Sequence, residues 1–347
     1  MTISQRHAEL RVDVLTGRRV IVVPGRAARP NAIHRSPELS VAADPFAEGS
    51  EAHTPDECLA IRPQQTPPNG PGWLLRVVPN RYPITGSETE AEAEQSSADV
   101  DSPTLFPAAA FHGRHEVVIE CPDSRTRMLQ LSPIEVVRVL QAWRHRCQTL
   151  IAADRYRTLA VYRNEGFSAG ASLPHCHSQI LAARSLAQLD QIRLQRAADY
   201  QAVCGGNLLS DLLAAEDRLG SRVVLRTAQL FVLCPFAPRT AWHVRFAPWP
   251  ASPAFFKDAT DCLLTELAAL LLQVLRALEA ACGSMIAFNL IINQHPVDRP
   301  AAWSWTLDLL PRLTKQAGWE LLTDEDTLPG RPEEWAERLR SLLQTEL

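Results

Sequence analysis

One stretch, residues 164–179, constrains this chain more than any other. It follows an apolar run, ends in His-Cys-His-Ser-Gln, and leads into a second apolar run. Successive side chains of a β-strand point to opposite faces, so His175, His177 and Gln179 are predicted to share one face of a strand. Two imidazoles and a carboxamide are costly to bury together unless they have polar partners. The pattern therefore predicts a strand, a loop and a second strand with a polar site at its start.

The loop inside this stretch is built from small residues, including Gly166, Gly170 and Ser172. Small residues let backbone N–H groups approach a ligand closely, which is a common way of holding phosphate oxygens. Taken singly, a His-x-His pair also fits a metal site or a surface pair, and a Gly/Ala/Ser loop also fits a plain turn. The combination of Asn-x-Gly, Ala-Gly-Ala-Ser and His-x-His-x-Gln is much more specific.

The combined motif resembles the active-site motif of the galactose-1-phosphate uridylyltransferases, a branch of the histidine-triad superfamily. The resemblance implies that His177 is the nucleophile and carries the nucleotide covalently. Its reference pKa of about 6.5 leaves much of the imidazole neutral at pH 7, and its other ring nitrogen needs an acceptor. Gln179 would donate an amide N–H to a phosphate oxygen. A third histidine at that position belongs to the hydrolytic branch, so Gln179 favours a transferase.

The same resemblance assigns the supporting roles around the nucleophile. His175 is a zinc ligand in many relatives, and here it is expected to position His177 by hydrogen bonding. Ser172 and the backbone of Gly170 would hold the departing phosphate. Asn164 would orient the nucleotide.

Two further segments are candidates for nucleotide binding. Arg26 and Arg29 lie in a loop bounded by prolines, and a guanidinium group matches phosphate oxygens bidentately. By themselves they would be interpreted as solvated surface arginines, but they resemble the family's Arg-Ala-x-Arg-Pro element. Asn80 resembles the family's Pro-Asn element and is a candidate contact to base or ribose. Asparagine after proline is also a common turn residue.

The residues that match the family's zinc ligands are altered in this chain. Asp44 and Ala47 stand where two cysteines belong, Ser124 stands where a histidine belongs, and only His175 is unchanged. A structural zinc site needs about four nitrogen, sulfur or carboxylate ligands, so we expect the zinc site to be lost. The loop 44–51 would then be held by hydrogen bonds and by the packing of Phe46.

A rearranged zinc site stays open as an alternative, because His53, Cys58 and Cys121 lie near these positions in the sequence. Their spacing matches no recognised ligand pattern. The metal, often iron, that relatives hold in the second half is also doubtful. Asn293, Ser304 and Thr306 occupy places where histidines would be expected. We therefore expect no cofactor.

The second half of the chain repeats the plan of the first. Residues 243–247 echo the predicted strand 115–119, and a long helix at 256–282 echoes a capped helix at 132–153. The predicted fold is α+β, with two tandem histidine-triad-like halves, each a mostly antiparallel sheet with helices packed on it. We place the half with the nucleophile at residues 1–200 and the other half at 201–347.

Composition excludes several classes of protein. The 347 residues carry a net charge of −4 without a basic stripe, so no nucleic acid is expected as a partner. No apolar run approaches the length of a membrane span, and the N-terminus does not look like a signal peptide. Eight scattered cysteines without a Cys-x-x-Cys pair predict reduced thiols in a cytoplasmic protein. The resemblance implies a homodimer.

The resemblance implies an enzyme of galactose metabolism that exchanges a nucleoside monophosphate between a nucleotide sugar and a hexose 1-phosphate. UDP-glucose is the expected nucleotide sugar. Phosphorylases of ADP-sugars or dinucleoside polyphosphates carry a similar His-x-His-x-Gln motif and remain an alternative. A third alternative is a nucleotide-binding protein that has lost turnover, which the altered metal positions would favour and the intact nucleophile loop would not.

Overall fold

A computed structural model describes residues 8–24, 44–86, 105, 109–250, 254–299 and 303–345. Arg26 and Arg29 lie outside the described residues, and so does nearly all of the acidic segment 86–101 that the sequence predicts to be a loop. The predictions made for these residues therefore stay predictions.

The described residues form thirteen strands and six helices. The strands are β1 Glu9–Val12, β2 Arg19–Val22, β3 Leu59–Ile61, β4 Leu75–Pro79, β5 Gly113–Ile119, β6 Thr158–Glu165, β7 His177–Ala183, β8 Val223–Arg226, β9 Leu230–Leu233, β10 Val244–Pro248, β11 Phe288–Asn293, β12 Thr306–Pro311 and β13 Asp326–Leu328. The helices are α1 Pro133–Ala152, α2 Gln188–Cys204, α3 Leu208–Leu219, α4 Asp261–Cys282, α5 Gly318–Thr323 and α6 Pro332–Thr345.

Ten of the strands form one sheet in the order β3-β4-β5-β7-β6-β11-β12-β10-β9-β8. Every neighbouring pair in this sheet is antiparallel. The two halves of the chain meet where β6 pairs with β11, so they share a single sheet. The predicted α+β class with mostly antiparallel strands is confirmed. The predicted boundary at residue 200 falls inside α2 and stays a prediction.

A second sheet of three strands contains two strands from near the N-terminus, β1 and β2, and one from near the C-terminus, β13. Two β-rich runs around Thr16-Gly17 predict a hairpin at residues 10–23. It is present as β1 and β2, with Asp13 accepting hydrogen bonds from the turn residues Leu15 and Thr16. Near the C-terminus, β13 adds in parallel to β2. This short strand was not predicted, because three residues carry too little periodicity to be recognised.

One face of the large sheet is covered by α1 and α4, which pack against each other. Helix α1 begins where predicted, since Ser132 and Glu135 form a capping box that satisfies the first N–H groups. Helix α4 begins at Asp261, five residues later than predicted. The hydroxyl of Thr260 caps it, and residues 256–258 form a separate 3₁₀ turn. The start of α4 was predicted too early because Phe256 is apolar and buried, as a residue on a helix face would be, but it lies in the 3₁₀ turn before α4.

Alternation along β6 and β7 separates the covered face from an open one. On β6, Leu159, Val161 and Arg163 are buried, whereas the alternate residues Tyr162 and Asn164 are only half-buried. On β7, Ser178 lies against α1 and accepts a hydrogen bond from the indole of Trp143 at 2.7 Å. His177 and Gln179 consequently lie on the opposite, open face.

Among the described residues, no helix is both long enough and apolar enough to cross a membrane. All eight cysteines lie in the described part, and none is paired in a disulfide there.

Candidate active site

The strand that carries the His-x-His-x-Gln motif begins two residues later than the spacing predicts. Strand β7 begins at His177, so His175 lies just before it and does not share a regular strand face with His177 and Gln179. The prediction of three residues on one strand face is wrong for His175. The chain there is held by backbone bonds from Cys176 N–H to the carbonyl of Arg125, and from Glu120 N–H to the carbonyl of Cys176.

His177 is held as a neutral imidazole with one defined tautomer. Its Nδ1–H donates to the backbone carbonyl of His175 at 2.7 Å, which leaves Nε2 without a proton. The ring of Phe46 packs against it with centroids 5.4 Å apart. Burial lowers the pKa of His177, the carbonyl of His175 opposes this effect, and the nearby guanidinium of Arg163 adds to it. The net result is a pKa below the ordinary value, so the ring is unprotonated and nucleophilic at neutral pH.

Hydrogen bonds join the residues that match the family's zinc ligands. The Oδ2 atom of Asp44 lies 2.7 Å from Nδ1 of His175 and accepts a hydrogen bond from the Ser124 hydroxyl, also at 2.7 Å. Nε2 of His175 lies 2.9 Å from the carbonyl oxygen of Cys121. Burial alone would raise the pKa of Asp44, but the bonds from Ser124 and His175 outweigh it and lower that pKa.

This donor set does not fit a tetrahedral zinc site. Asp44 and His175 are the only good ligands among the four matching positions, and they are already in direct contact. Of the alternative ligands, Cys121 is close, with its sulfur 3.7 Å from Nε2 of His175. The described residues contain no group of three or more His, Cys, Asp or Glu side chains placed to hold a metal ion.

The loop at 44–51 is anchored by packing and hydrogen bonding. Phe46 lies edge-on to the rings of both His175 and His177. The N–H of Glu48 donates to the carbonyl of Pro122 at 2.7 Å. At the end of the loop, the indole N–H of Trp73 donates to the carboxylate of Glu51 at 2.7 Å. These contacts confirm the predicted packing through Phe46.

Hydrogen bonds occupy one of the three second-half positions where metal ligands would be expected, that of Asn293. Asn293 accepts a hydrogen bond from Arg193 at 3.0 Å and donates one to Asp308 at 2.9 Å. Ser304 and Thr306 are buried and offer only hydroxyl oxygens. A cationic guanidinium beside Asn293 is a poor neighbour for a metal cation, so these residues do not fit a metal either.

Gln179 has its carbonyl oxygen engaged by two donors. Nε2 of His115 lies 2.8 Å from Oε1 of Gln179, and the hydroxyl of Tyr162 donates to the same oxygen at 3.0 Å. Burial lowers the pKa of His115 and raises the pKa of Tyr162, so the first is neutral and the second keeps its proton. The Nε2 atom of Gln179 has no partner within the described part of the chain.

Asn164 is fixed in the same way by a residue from the second half. The amide nitrogen of Asn289 donates to Oδ1 of Asn164 and to the backbone carbonyl of Ala169, both at 2.8 Å. Asn164 lies on the open face, one pleat beyond the pair of Tyr162 with Gln179. The Nδ2 atom of Asn164, like the Nε2 atom of Gln179, has no partner among the residues described.

Asn80 is used within its own turn. Its Oδ1 accepts the N–H of Tyr82 at 2.9 Å, which is the turn role that asparagine after proline commonly has. Its Nδ2 lies 3.3 Å from Nε2 of His115, so the side chain borders the site. Contact between Asn80 and a base or ribose stays a prediction.

The small-residue turn is compact and partly self-satisfied. Gly166 and Gly170 have φ values of 82° and 85°, in the left-handed region that favours glycine. A Cβ on Gly166 would meet Ala287 at 2.8 Å. The N–H of Gly170 already donates to Phe167, so this N–H is not free for phosphate in this conformation. Ser172 is exposed, and its hydroxyl has no partner in the described part of the chain.

A buried ion network lies behind His177 on the covered face of the sheet. The guanidinium of Arg163 pairs with Glu120 and with Glu165, at 2.9 Å in the second case. It also donates to the sulfur of Cys176 at 3.5 Å. A fully buried charge is stable only when it is paired, and each member of this network has a partner of opposite charge. Three buried atoms of the network, Nε of Arg163 and Oε1 of Glu120 and of Glu165, have no hydrogen-bond partner among the described residues. Within this network Arg163 lowers the pKa of His177 and Glu120 raises it, so burial remains the main cause of the lowered pKa.

The structure therefore brings together three of the predicted site residues, His177, Gln179 and Asn164, on one open face. Sequence reasoning missed His115, Tyr162 and Asn289 as parts of the site. Period-2 spacing could have found Tyr162, because it is two residues from Asn164 on the same strand. The contact of Asn289 depends on the pairing of β11 with β6, which no local pattern reveals.

Comparisons with known proteins agree with this geometry. Residues 1–187 match the family model described as galactose-1-phosphate uridyl transferase, N-terminal domain. An ADP-glucose phosphorylase of Arabidopsis thaliana is 26% identical over 99% of this chain and 95% of that protein. A probable galactose-1-phosphate uridylyltransferase of Drosophila melanogaster is 26% identical over 77% of this chain and 70% of its own length.

Solved structures show the same likeness. The crystal structure of an Arabidopsis thaliana ADP-glucose phosphorylase with bound ADP-glucose superposes with a TM-score of 0.79. That match has 25% identity and covers 96% of this chain and 99% of the other. A uridylyltransferase structure superposes with a TM-score of 0.73 at 22% identity, covering 98% and 99% of the two chains, which shows the shared fold.

The family model and the relatives that this chain matches are nucleotidyltransferases, and the chain is an enzyme of that class. The family match covers more than half of the chain. The chain belongs to the galactose-1-phosphate uridyl transferase family.

Proposed function

We propose that this protein exchanges a nucleoside monophosphate between a nucleotide sugar and a hexose 1-phosphate through a covalent nucleotidyl-His177 intermediate. UDP-glucose is the nucleotide sugar that the family favours. One observation carries the proposal: Nδ1–H of His177 is donated to the carbonyl of His175, which leaves Nε2 free to attack.

In the first step, Nε2 of His177 attacks the α-phosphorus of the nucleotide sugar. The Nε2–P bond forms as the bond from phosphorus to the bridging oxygen breaks, and the hexose 1-phosphate leaves. The ring keeps its proton on Nδ1 and gains positive charge. The carbonyl of His175 accepts from this N–H and stabilises the charge as it develops.

In the second step, a phosphate oxygen of the acceptor attacks the same phosphorus from solution, and the Nε2–P bond breaks. Gln179 and Asn164 offer amide N–H groups to the phosphate oxygens, where negative charge accumulates. Neither side chain is basic, so neither activates water. This favours transfer to a phosphate acceptor over hydrolysis.

A second candidate is an ADP-sugar phosphorylase, in which inorganic phosphate is the acceptor and ADP and hexose 1-phosphate are the products. The likeness to the Arabidopsis thaliana ADP-glucose phosphorylase favours it, because that match spans nearly the whole of both chains. Both candidates use the same first step and differ in base and acceptor. A protein without turnover is disfavoured, because the tautomer of His177 and the free amides are intact.

One experiment separates these functions. The purified protein is incubated with UDP-glucose or ADP-glucose, each with galactose 1-phosphate or inorganic phosphate, and products are separated by chromatography. UDP-galactose formed from UDP-glucose and galactose 1-phosphate supports the uridylyltransferase. ADP formed from ADP-glucose and inorganic phosphate supports the phosphorylase. Absence of any product and of any covalent nucleotide would contradict both functions.

We also propose an oligomeric state, a cellular compartment and a superfamily for this protein. A homodimer is supported by apolar side chains left exposed on α5, namely Trp319, Leu321 and Leu322. Sedimentation at micromolar concentration should give a dimer, and a clean monomer would contradict it. A cytoplasmic location is supported by the unpaired thiols. Kinship with the histidine-triad superfamily is supported by the His-x-His-x-Gln motif.

A further inference from the structure

Two side-chain amides on the open face share an unusual arrangement. Gln179 and Asn164 each have the oxygen of the amide bonded to protein and the nitrogen without a partner in the described part of the chain. An amide can in principle be turned end for end, so its orientation has to be fixed by neighbours whose own polarity is certain. Backbone groups provide that certainty, because an N–H only donates and a carbonyl only accepts.

A backbone N–H fixes the orientation of Gln179 through His115. The N–H of Ile84 faces Nδ1 of His115 at 3.4 Å. The amide nitrogen of Asn80, which is a donor because its oxygen accepts from Tyr82, lies 3.4 Å from Nδ1 and 3.3 Å from Nε2 of the same ring. Nδ1 faces two donors, so we assign it as the acceptor of that ring. In the neutral ring the proton is then on Nε2, which lies 2.8 Å from Gln179. A proton on Nε2 requires an acceptor, and the acceptor of Gln179 is Oε1. The hydroxyl of Tyr162 donates to the same oxygen, and the amide nitrogen of Gln179 is left free.

A backbone carbonyl fixes the orientation of Asn164 through Asn289. The carbonyl of Ala169 accepts at 2.8 Å, so the group facing it on Asn289 is the amide nitrogen. The second N–H of the same nitrogen points to Asn164 at 2.8 Å, where it requires an oxygen. Asn164 is therefore held by Oδ1, and its Nδ2 is free. The two series of hydrogen bonds are independent. One begins at Ile84, in the loop after β4, and the other passes through Asn289, in the second half of the protein.

We propose that His115, Tyr162 and Asn289 are positioning residues that preset Gln179 and Asn164 as paired N–H donors for the phosphate oxygens at His177. This inference rests on the proposed function and deepens it, because it assigns the orientation of the donors to three residues outside the nucleophile motif. Strands β6 and β7 place both amides near His177. Gln179 is two residues after His177 on β7, and Asn164 is two residues after Tyr162, which pairs with Gln179, on β6.

Presetting matters because a donor that must first turn, or that alternates between two orientations, loses part of its effect in the transition state. Donors that are already aligned stabilise developing charge without reorganisation, and removal of one such donor from an enzyme typically costs about a hundredfold in rate or more. Loss of a positioning residue leaves the donor present but unaligned, so its effect is smaller than loss of the donor itself.

The test compares single and double variants in the single-turnover rate of nucleotide attachment, with the nucleotide sugar that labels the wild type. We expect Gln179→Ala to lower this rate about a hundredfold. We expect His115→Phe and Tyr162→Phe to lower it about tenfold, with His115→Gln recovering most of the loss because its amide supplies an N–H near Nε2. His145→Phe and Tyr200→Phe are matched controls that should leave the rate unchanged.

The double variant His115→Phe/Gln179→Ala decides the matter. If His115 acts through Gln179, the double variant is no slower than Gln179→Ala alone. The same holds for Asn289→Leu combined with Asn164→Ala. Independent losses that multiply in the double variants would overturn the inference, and so would single variants as fast as the wild type. Thermal unfolding midpoints identify any variant that loses activity by unfolding.

Failure of this inference is distinct from failure of the proposed function. A wild type that attaches no nucleotide from any nucleotide sugar contradicts the function itself. A wild type that is labelled normally, with multiplicative losses in the double variants, contradicts only the positioning roles.

Discussion

The two halves of the sheet place different chemistry at matching positions. In the first half, Gln179 on β7 lies opposite Val117 on β5 and Tyr162 on β6. In the second half, Asp308 on β12 lies opposite Arg245 on β10 and Ile291 on β11. Asp308 is thus the counterpart of Gln179, and Thr306, two residues before it, is the counterpart of His177.

Asp308 has hydrogen-bond partners on both carboxylate oxygens, whereas the amide nitrogen of its counterpart Gln179 has no partner among the described residues. Asp308 accepts two bonds from Arg245, at 2.7 and 2.8 Å, and a third from Asn293. Burial would raise the pKa of Asp308, but Arg245 and His243 hold it well below the ordinary value. The comparison teaches that the fold alone does not make a site. On the proposed function, the difference that matters is the residue type at each matching position, an imidazole and a free amide in the first half against a hydroxyl and a paired carboxylate in the second.

The largest effect should come from the nucleophile and not from its counterpart. We expect His177→Ala to lower nucleotide attachment about 10⁴-fold or more, because no other group at this position can form the covalent bond. Thr306→Ala should leave the rate unchanged. Single-turnover labelling measures both variants. A variant with Thr306 replaced that is as inactive as His177→Ala would break the comparison between the halves.

A large effect on stability should fall in the second half. Arg245→Met leaves the carboxylate of Asp308 buried without its main partner, and loss of one member of a buried ion pair costs about 3–5 kcal/mol. Equilibrium unfolding in urea measures this free energy. The double variant Arg245→Met/Asp308→Leu should recover most of the loss. Equal losses in the single and double variants would show that the charge pairing is not the cause.

The loop at the nucleophile should be stabilised without metal. Asp44→Ala removes the acceptor shared by Ser124 and His175, and we expect a loss of about 1–3 kcal/mol in the free energy of unfolding. Protein purified without chelator should contain well under one zinc per chain, and EDTA should leave the melting temperature unchanged. Stoichiometric zinc on elemental analysis would mean that the ligands were misassigned. The isosteric variant Asp44→Asn is the control for the loss of stability expected in Asp44→Ala.

The smallest effect should be a loss of stability in mild acid shared by both halves. Burial lowers the pKa of four imidazoles, those of His115, His177, His243 and His295. Below the unfolded histidine pKa of about 6.5, the unfolded chain binds more protons than the folded one, so stability falls as pH falls through that range. Urea unfolding at several pH values measures the slope. A free energy of unfolding that rises between pH 7 and pH 5 would contradict the prediction.

Much of the fold could be predicted from local pattern. Helix α1 carries its capping box in the sequence, and the N-terminal hairpin and the two strands around the nucleophile follow from alternation. The duplication was visible because 243–247 echoes 115–119. What local pattern could not give is the single continuous sheet. The pairing of β6 with β11 joins strands that are far apart in the chain.

The site shows the same division. The motif located His177 and Gln179, because spacing and residue type together were specific. The sequence could indicate that His177 needs an acceptor such as a backbone carbonyl of this loop, but it could not show that the carbonyl is that of His175. The contacts of Asn289 with Asn164 and of Asp44 with His175 join distant segments, so no spacing rule could reveal them. Arg26 and Arg29 lie outside the described residues, and their role remains a prediction.

The central claim is that His177 carries the nucleotide while its counterpart Thr306 carries nothing. Intact-mass spectrometry after incubation with UDP-glucose or ADP-glucose, followed by peptide mapping, tests it directly. We expect the mass of one nucleoside monophosphate to be added per chain, located on His177 and absent from His177→Ala. The added mass also identifies the base. Label that persists in His177→Ala, or a wild type that transfers nucleotide without ever becoming labelled, would contradict the account.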